Sequence, residues 1–114
     1  MWICSKLGFF SVVRKTDGWH VRARVREDLA ALAGAAGVEA RIQRWPLADY
    51  RWRLILGPED LHRIFAALEA SVDYPNFKEA IGRDPGQREK LGAYHELWTA
   101  LARLQSERDR GAEK

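Results

Sequence analysis

A single cysteine, Cys4, leaves the chain no internal disulfide, which argues against a small secreted scaffold and for a reducing, cytoplasmic setting. No apolar run nears the ~18 residues that span a bilayer, so no membrane partner is expected. The most apolar stretch, MWICSKLGFFSVV, is broken by Lys6 and Gly8 and lacks a basic start and a small-residue cleavage site. It reads as folded protein, not as a leader. The three histidines, His20, His62 and His95, are widely separated. None has the spacing of a helical metal pair, so no metal is expected. The loops GxxxxGK[ST] and GxGxxG and the helix motif HExxH are absent, and no cofactor is expected. Lysine is also sparse, with five residues against fourteen arginines.

What remains is ordinary globular material. The chain has 114 residues, 46% hydrophobic and 31% charged, enough for one domain with its own core. We expect that domain over residues 1–105, followed by a polar, frayed tail from 106 to 114. The net charge of +3 is unevenly placed. Residues 1–56 carry ten basic against five acidic side chains; residues 57–114 carry nine against eleven. A planar guanidinium suits carboxylate and phosphate partners and also stacks on aromatic rings.

The periodicities predict the element order β-β-β-α-β-β-α-α-α. Residues 2–7 and 9–15 read as strands around Gly8, the second closing on Thr16-Asp17-Gly18, a hairpin signal because glycine accepts positive φ cheaply. Residues 19–25 alternate strictly, with Val21, Ala23 and Val25 on one face and Arg22, Arg24 and Arg26 on the other. A helix over about 27–36 ends at Gly37; further strands follow at 38–45 and 50–56. In the last of these Tyr50, Trp52, Leu54 and Leu56 face one way, Arg51 and Arg53 the other. Gly57-Pro58 opens the clearest helix, with an apolar stripe from Leu61 to Val72. A short helix over 76–81 and a longer one over 89–105 follow, the latter with Leu91, Tyr94, Leu97, Trp98, Leu101 and Leu104 expected inward. Half-apolar strands need helices to cover them. The expected fold is therefore α+β, a two-layer open-faced sandwich whose mostly antiparallel sheet carries helices on one face. The strand–helix–hairpin middle is compatible with a split β-α-β unit.

That alternation places Arg22, Arg24, Arg51 and Arg53 on the sheet face away from the helices, with Phe10, Trp19 and Trp45 as candidate aromatic platforms. Like charges across neighbouring strands need counter-charge, from the chain itself or from a partner. A second polar constellation is Asp49, Tyr50, Asp73, Tyr74, Asn76 and Lys78, the last four within the helix break Asp73-Tyr74-Pro75-Asn76-Phe77-Lys78. Asp73 or Asn76 can cap the next helix and Tyr74 can anchor the turn; a catalytic reading would need an acid–base pair beside Lys78. Cys4 beside His20 would be the only nucleophile arrangement, and its strand context favours an inert thiol.

The segments MWICSKLGFFSVVRK, VRARVREDL, DYRWR, DYPNFK and YHELWTALARLQ together resemble a family of small uncharacterised bacterial and phage-associated proteins. The resemblance covers most of the chain and implies a recurring compact domain without an assigned activity. Members carry a longer, polar turn after the second strand, where this chain has only Thr16-Asp17-Gly18. Modulation of a host protein is conceivable on that resemblance. From the residues themselves the leading expectation is a protein-interaction or regulatory module, with a protein partner or self-association. A nucleic-acid binder using the same arginines, or a small enzyme of unknown reaction, are the alternatives.

Overall fold

The computed structural model describes residues 1–112. They form two compact units, one ending at Pro75 and one beginning at Asn76. The first holds strands β1 (Trp2–Ser5), β2 (Gly8–Lys15) and β3 (Gly18–Ala23), helix α1 (Arg26–Ala36), strands β4 (Gln43–Arg44) and β5 (Trp52–Leu56), and helix α2 (Pro58–Ser71). The second holds α3 (Phe77–Arg83), a 3-10 turn at Arg88–Lys90, and α4 (Leu91–Ala112).

The sheet is ordered β1-β2-β3-β5-β4, and every neighbouring pair is antiparallel. Because β3 and β4 both run opposite to β5, they are parallel to each other with β5 inserted between them. Joined through α1, they make the split β-α-β unit that the sequence allows. The fold is α+β, as the patterning predicts. Phe10, Val12, Val21, Ala23, Leu54 and Leu56 form the apolar side of the sheet, buried against Leu29 and Leu32 of α1 and Ile64 and Leu68 of α2. None of these side chains is more than 9% exposed. At about 25 cal/mol per Å² this layer supplies the main drive for folding of the first unit.

Two glycines hold the hairpins. Gly8 has φ +149°, and a Cβ there would lie 2.3 Å from Cγ of Asp28. Asp28 is itself buried at the start of α1, where its carboxylate accepts a hydrogen bond from the Phe9 amide at 3.3 Å. Gly18 has φ +125°, and a Cβ would lie 2.6 Å from the Leu56 carbonyl oxygen. Both turns therefore need the missing side chain for close approach as well as for backbone conformation.

Five expectations are corrected. The strand expected over 38–45 is reduced to Gln43–Arg44, because Val38 turns into the core after the left-handed Gly37 cap and Pro46 ends pairing. The strand expected from Tyr50 begins at Trp52, and that from 19 to 25 ends at Ala23, so Arg24 and Arg51 lie just outside strands. The last helix continues past 105 to Ala112, since Ser106–Ala112 contains no proline and several good helix formers; residues 113 and 114 of the expected tail lie outside the described residues. Finally, only Tyr94 of α4 is buried, while Leu97, Trp98, Leu101 and Leu104 are exposed rather than inward. No helix among the described residues is long and apolar enough to cross a membrane.

Candidate arginine–aromatic face

Antiparallel register fixes which arginines meet. Arg22 of β3 lies directly opposite Arg53 of β5, on the face away from α1 and α2. Two guanidinium groups side by side repel, and this fold answers with aromatic rings more than with carboxylates. The chain between β4 and β5 turns back over this face and lays Trp45 on Arg53, whose guanidinium carbon is 3.8 Å from the ring centroid. Arg53 is only 2% exposed as a result. Tyr50, 3% exposed, carries two guanidinium groups: Arg22 at 4.7 Å and Arg24 at 4.2 Å from its ring centroid. Arg44 lies over Trp52 at 5.8 Å, but that pair belongs to the opposite, helix-covered face. Such contacts contribute ~0.5–1 kcal/mol when exposed and ~2 kcal/mol when desolvated, so the Trp45–Arg53 pair is the strong one.

Beneath Trp45 runs a chain of polar contacts. Arg53 donates through Nη1 to Nδ1 of His20 at 3.1 Å and through Nη2 to the Tyr50 carbonyl at 3.4 Å. A guanidinium has donors only, so Nδ1 of His20 must accept, and Nε2 carries the ring proton. That proton is donated to Oδ1 of Asp17 at 2.7 Å. The hydrogen bond from His20 holds the Asp17 carboxyl below the usual carboxylate range. Burial, and then the charge of Arg22, push Arg53 below the ordinary guanidinium value; Asp49 and Asp17 act in the other direction. By hydrogen bonds the buried guanidinium of Arg53 is linked to a carboxylate only through a neutral imidazole, with Asp49 acting by its charge alone.

Arg22 has no such outlet. It donates from Nη2 to the buried Ser11 hydroxyl at 2.7 Å, and its Nε is buried without a hydrogen-bond partner, as is the Nε of Arg53. The ion pairs among the described residues are Lys6–Asp73 and Asp60–Arg63, and the Asp17–His20 contact is a hydrogen bond from the neutral ring. None involves Arg22, Arg24, Arg51 or Arg53.

Of the residues expected to form this site, Arg22, Arg53 and Trp45 come together, and Arg24 joins them through Tyr50. Arg51 is exposed just before β5; its carbonyl accepts from the Trp45 amide at 2.7 Å, but its side chain takes no part in the ring contacts of the cluster. Trp19 is elsewhere. It sits opposite Leu56 in the register, so it shares the helix-covered face, where Arg14 lies 5.3 Å from its ring centroid. Tyr50 and His20 were not read as part of the site from sequence. Tyr50 looks like the first inward residue of an alternating strand; it lies before the strand starts, which frees it to turn onto the other face. His20 could have been found, since it shares parity with Arg22.

The helix break divides between the two units. Asp73 accepts from Lys6 Nζ at 2.6 Å, which holds its carboxyl below the usual range. Tyr74 is half-buried beside Ile3 and Cys4, lining an open apolar groove. In the second unit Asn76 caps α3, its Oδ1 accepting from the Glu79 amide at 3.0 Å, and Lys78 lies 4.9 Å from the centroid of the Trp98 ring. Cys4 has no activating partner there: both nitrogens of His20 are engaged, and burial pushes the Cys4 thiol up. No group of three or more His, Cys, Asp or Glu that could hold a metal ion occurs among the described residues. Compared with known proteins, the chain matches no family model, no curated protein and no solved structure.

Proposed function

We propose that the protein is an interaction module whose arginine–aromatic sheet face receives an acidic segment of a partner protein. One observation carries this reading: Arg22 and Arg53 stand opposite each other in the sheet, and no carboxylate of the described chain pairs with either. A carboxylate arriving at the accessible side of Arg22 and Arg24 would supply the counter-charge that Asp17 gives Arg53 only indirectly. Tyr50 holds both guanidinium groups in place, so little side-chain entropy is lost when they engage a carboxylate.

A nucleic acid would present the same negative charge. It would also need free ring faces on which bases stack. The rings on this face already carry guanidinium groups: Arg53 on Trp45, and Arg22 and Arg24 on Tyr50. That occupancy favours carboxylate over base recognition.

The test is titration of the full chain with a glutamate-rich peptide and, separately, with a single-stranded oligonucleotide, at low and at physiological salt. Peptide binding that Arg24→Glu weakens at least tenfold supports the reading; Arg24 is exposed, so the variant should fold. Preferential binding of the oligonucleotide, or peptide binding indifferent to Arg24→Glu, refutes it.

A further inference from the structure

Strand β1 is an edge of the sheet, and its hydrogen-bond parity can be read from its first residue. Met1 exchanges both backbone bonds with Val12, its amine donating at 2.9 Å and its carbonyl accepting at 2.8 Å. Antiparallel ladders alternate bonded with non-bonded pairs. Ile3–Phe10 is therefore the next bonded pair, whereas Trp2–Ser11 and Cys4–Phe9 are not. The Phe9 amide agrees, since it turns away from β1 to Asp28. The backbone N–H and C=O groups of Trp2 and Cys4 consequently point outward along an edge that no other strand among the described residues pairs with.

We infer that this edge pairs with the same strand of a second copy, antiparallel and about a two-fold axis through Ile3. The outward residues bracket Ile3 symmetrically. Under that axis Trp2 of each copy meets Cys4 of the other, and four main-chain hydrogen bonds form with every donor matched to an acceptor. No side chain from Met1 to Ser5 is charged, so the two strands meet without the like-charge opposition that protects most edges. Lys6 lies beyond the paired stretch. The side chains agree as well. Trp2 is 72% exposed, with its ring centroid 6.5 Å from that of Phe9 on the neighbouring strand. Paired as described, it adds to a row running from Phe9 through Cys4 to Trp2 of the second copy. On the opposite face Ile3 meets Ile3 at a non-bonded position, where Cα atoms approach to about 4.5 Å. The two five-stranded sheets become one of ten strands.

The contact is short, so it belongs with weak, reversible interfaces. Sedimentation velocity of the reduced full chain from about 5 µM to about 500 µM, a range that brackets weak association, should show a dimer that dissociates on dilution. Trp2→Lys puts a charge on the edge at an exposed position and should weaken the dimer at least tenfold with an unchanged circular dichroism spectrum. In a Cys4→Ser background, Ile3→Cys should cross-link on mild oxidation, because a close non-bonded pair suits disulfide geometry. A chain that stays monomeric throughout the range overturns the inference, as it would if a strand of some other protein were the natural occupant. A dimer untouched by Trp2→Lys, or no cross-link at position 3, also overturns it.

Discussion

Arg53→Ala removes the group on which the whole sheet face is organised, and its cost can be worked from contacts. The desolvated stack on Trp45 is worth ~2 kcal/mol. Truncation also strands two acceptors, His20 Nδ1 and the Tyr50 carbonyl, at ~1 kcal/mol each as a lower figure. Against this, a buried charge and its repulsion with Arg22 disappear, a relief of ~1 kcal/mol once Trp45 settles into the space. The expected net loss is about 3 kcal/mol. Arg53→Met separates the parts. Its thioether fills the space and keeps contact with the Trp45 ring, so the loss should fall to about 1–2 kcal/mol, that of the stranded acceptors. A double-mutant cycle with Trp45→Ala should return a coupling of ~2 kcal/mol. The measurement is urea unfolding followed by tryptophan fluorescence. If Arg53→Ala costs less than ~1 kcal/mol, or its coupling to Trp45 is within error of zero, the arginine–aromatic stacking does not hold this face.

Two further outcomes are expected. Gly8→Ala should destabilise by roughly 3 kcal/mol or more, because its methyl group collides with Asp28 and its φ is unfavourable, whereas Gly37→Ala, at φ 67° with nothing within 4 Å, should cost only about 1 kcal/mol; unfolding midpoints of the two variants compare them directly. Asp17 and Asp73 both have folded carboxyls held below the ordinary value, through His20 and Lys6 respectively. Their contribution is fully present above the unfolded carboxylate range near ~4 and is lost as pH falls through the lowered folded values. Asp17→Asn and Asp73→Asn should each flatten the acid limb of a stability–pH curve between about pH 4 and pH 2, and an unchanged slope would show that neither pairing persists in solution.

Much of the sheet was legible because period-two patterning is local. Val21, Ala23, Leu54 and Leu56 announce a buried face, and Asp17-Gly18 announces the turn that brings β2 and β3 together. Burial of the arginines was not legible. The patterning places Arg22 and Arg53 correctly away from the apolar layer, but it treats that side as solvent. What covers it is the connection from Trp45 to Tyr50, whose path depends on Pro46, on Trp45 receiving the Arg53 guanidinium, and on the start of β5 two residues later than alternation suggests. These are tertiary facts with no periodic signature. Helix α4 fails in the opposite sense: Leu97, Leu101 and Leu104 recur at helical spacing, yet spacing alone says only that a face is apolar, not that anything lies against it.

The distinction between the two layers matters for the functional proposal. Apolar packing against α1 and α2 would hold the sheet together whatever stood on its other side, so the second face was free to be polar and solvated. Instead it buries a guanidinium, which costs free energy unless something returns it. Trp45, His20 and the Tyr50 carbonyl return part, and Asp17 adds to it through the imidazole. Arg22 receives only a neutral hydroxyl and a shared ring. Stability alone would be met better by an apolar residue at 22, which would remove the repulsion with Arg53 and fill the same place beside Tyr50. A comparison of Arg22→Met with wild type tests this directly. If the variant is equally or more stable while peptide binding falls, the residual charge at Arg22 serves recognition. If it is less stable by more than ~1 kcal/mol, the arginine is structural and the proposed face loses its principal contact.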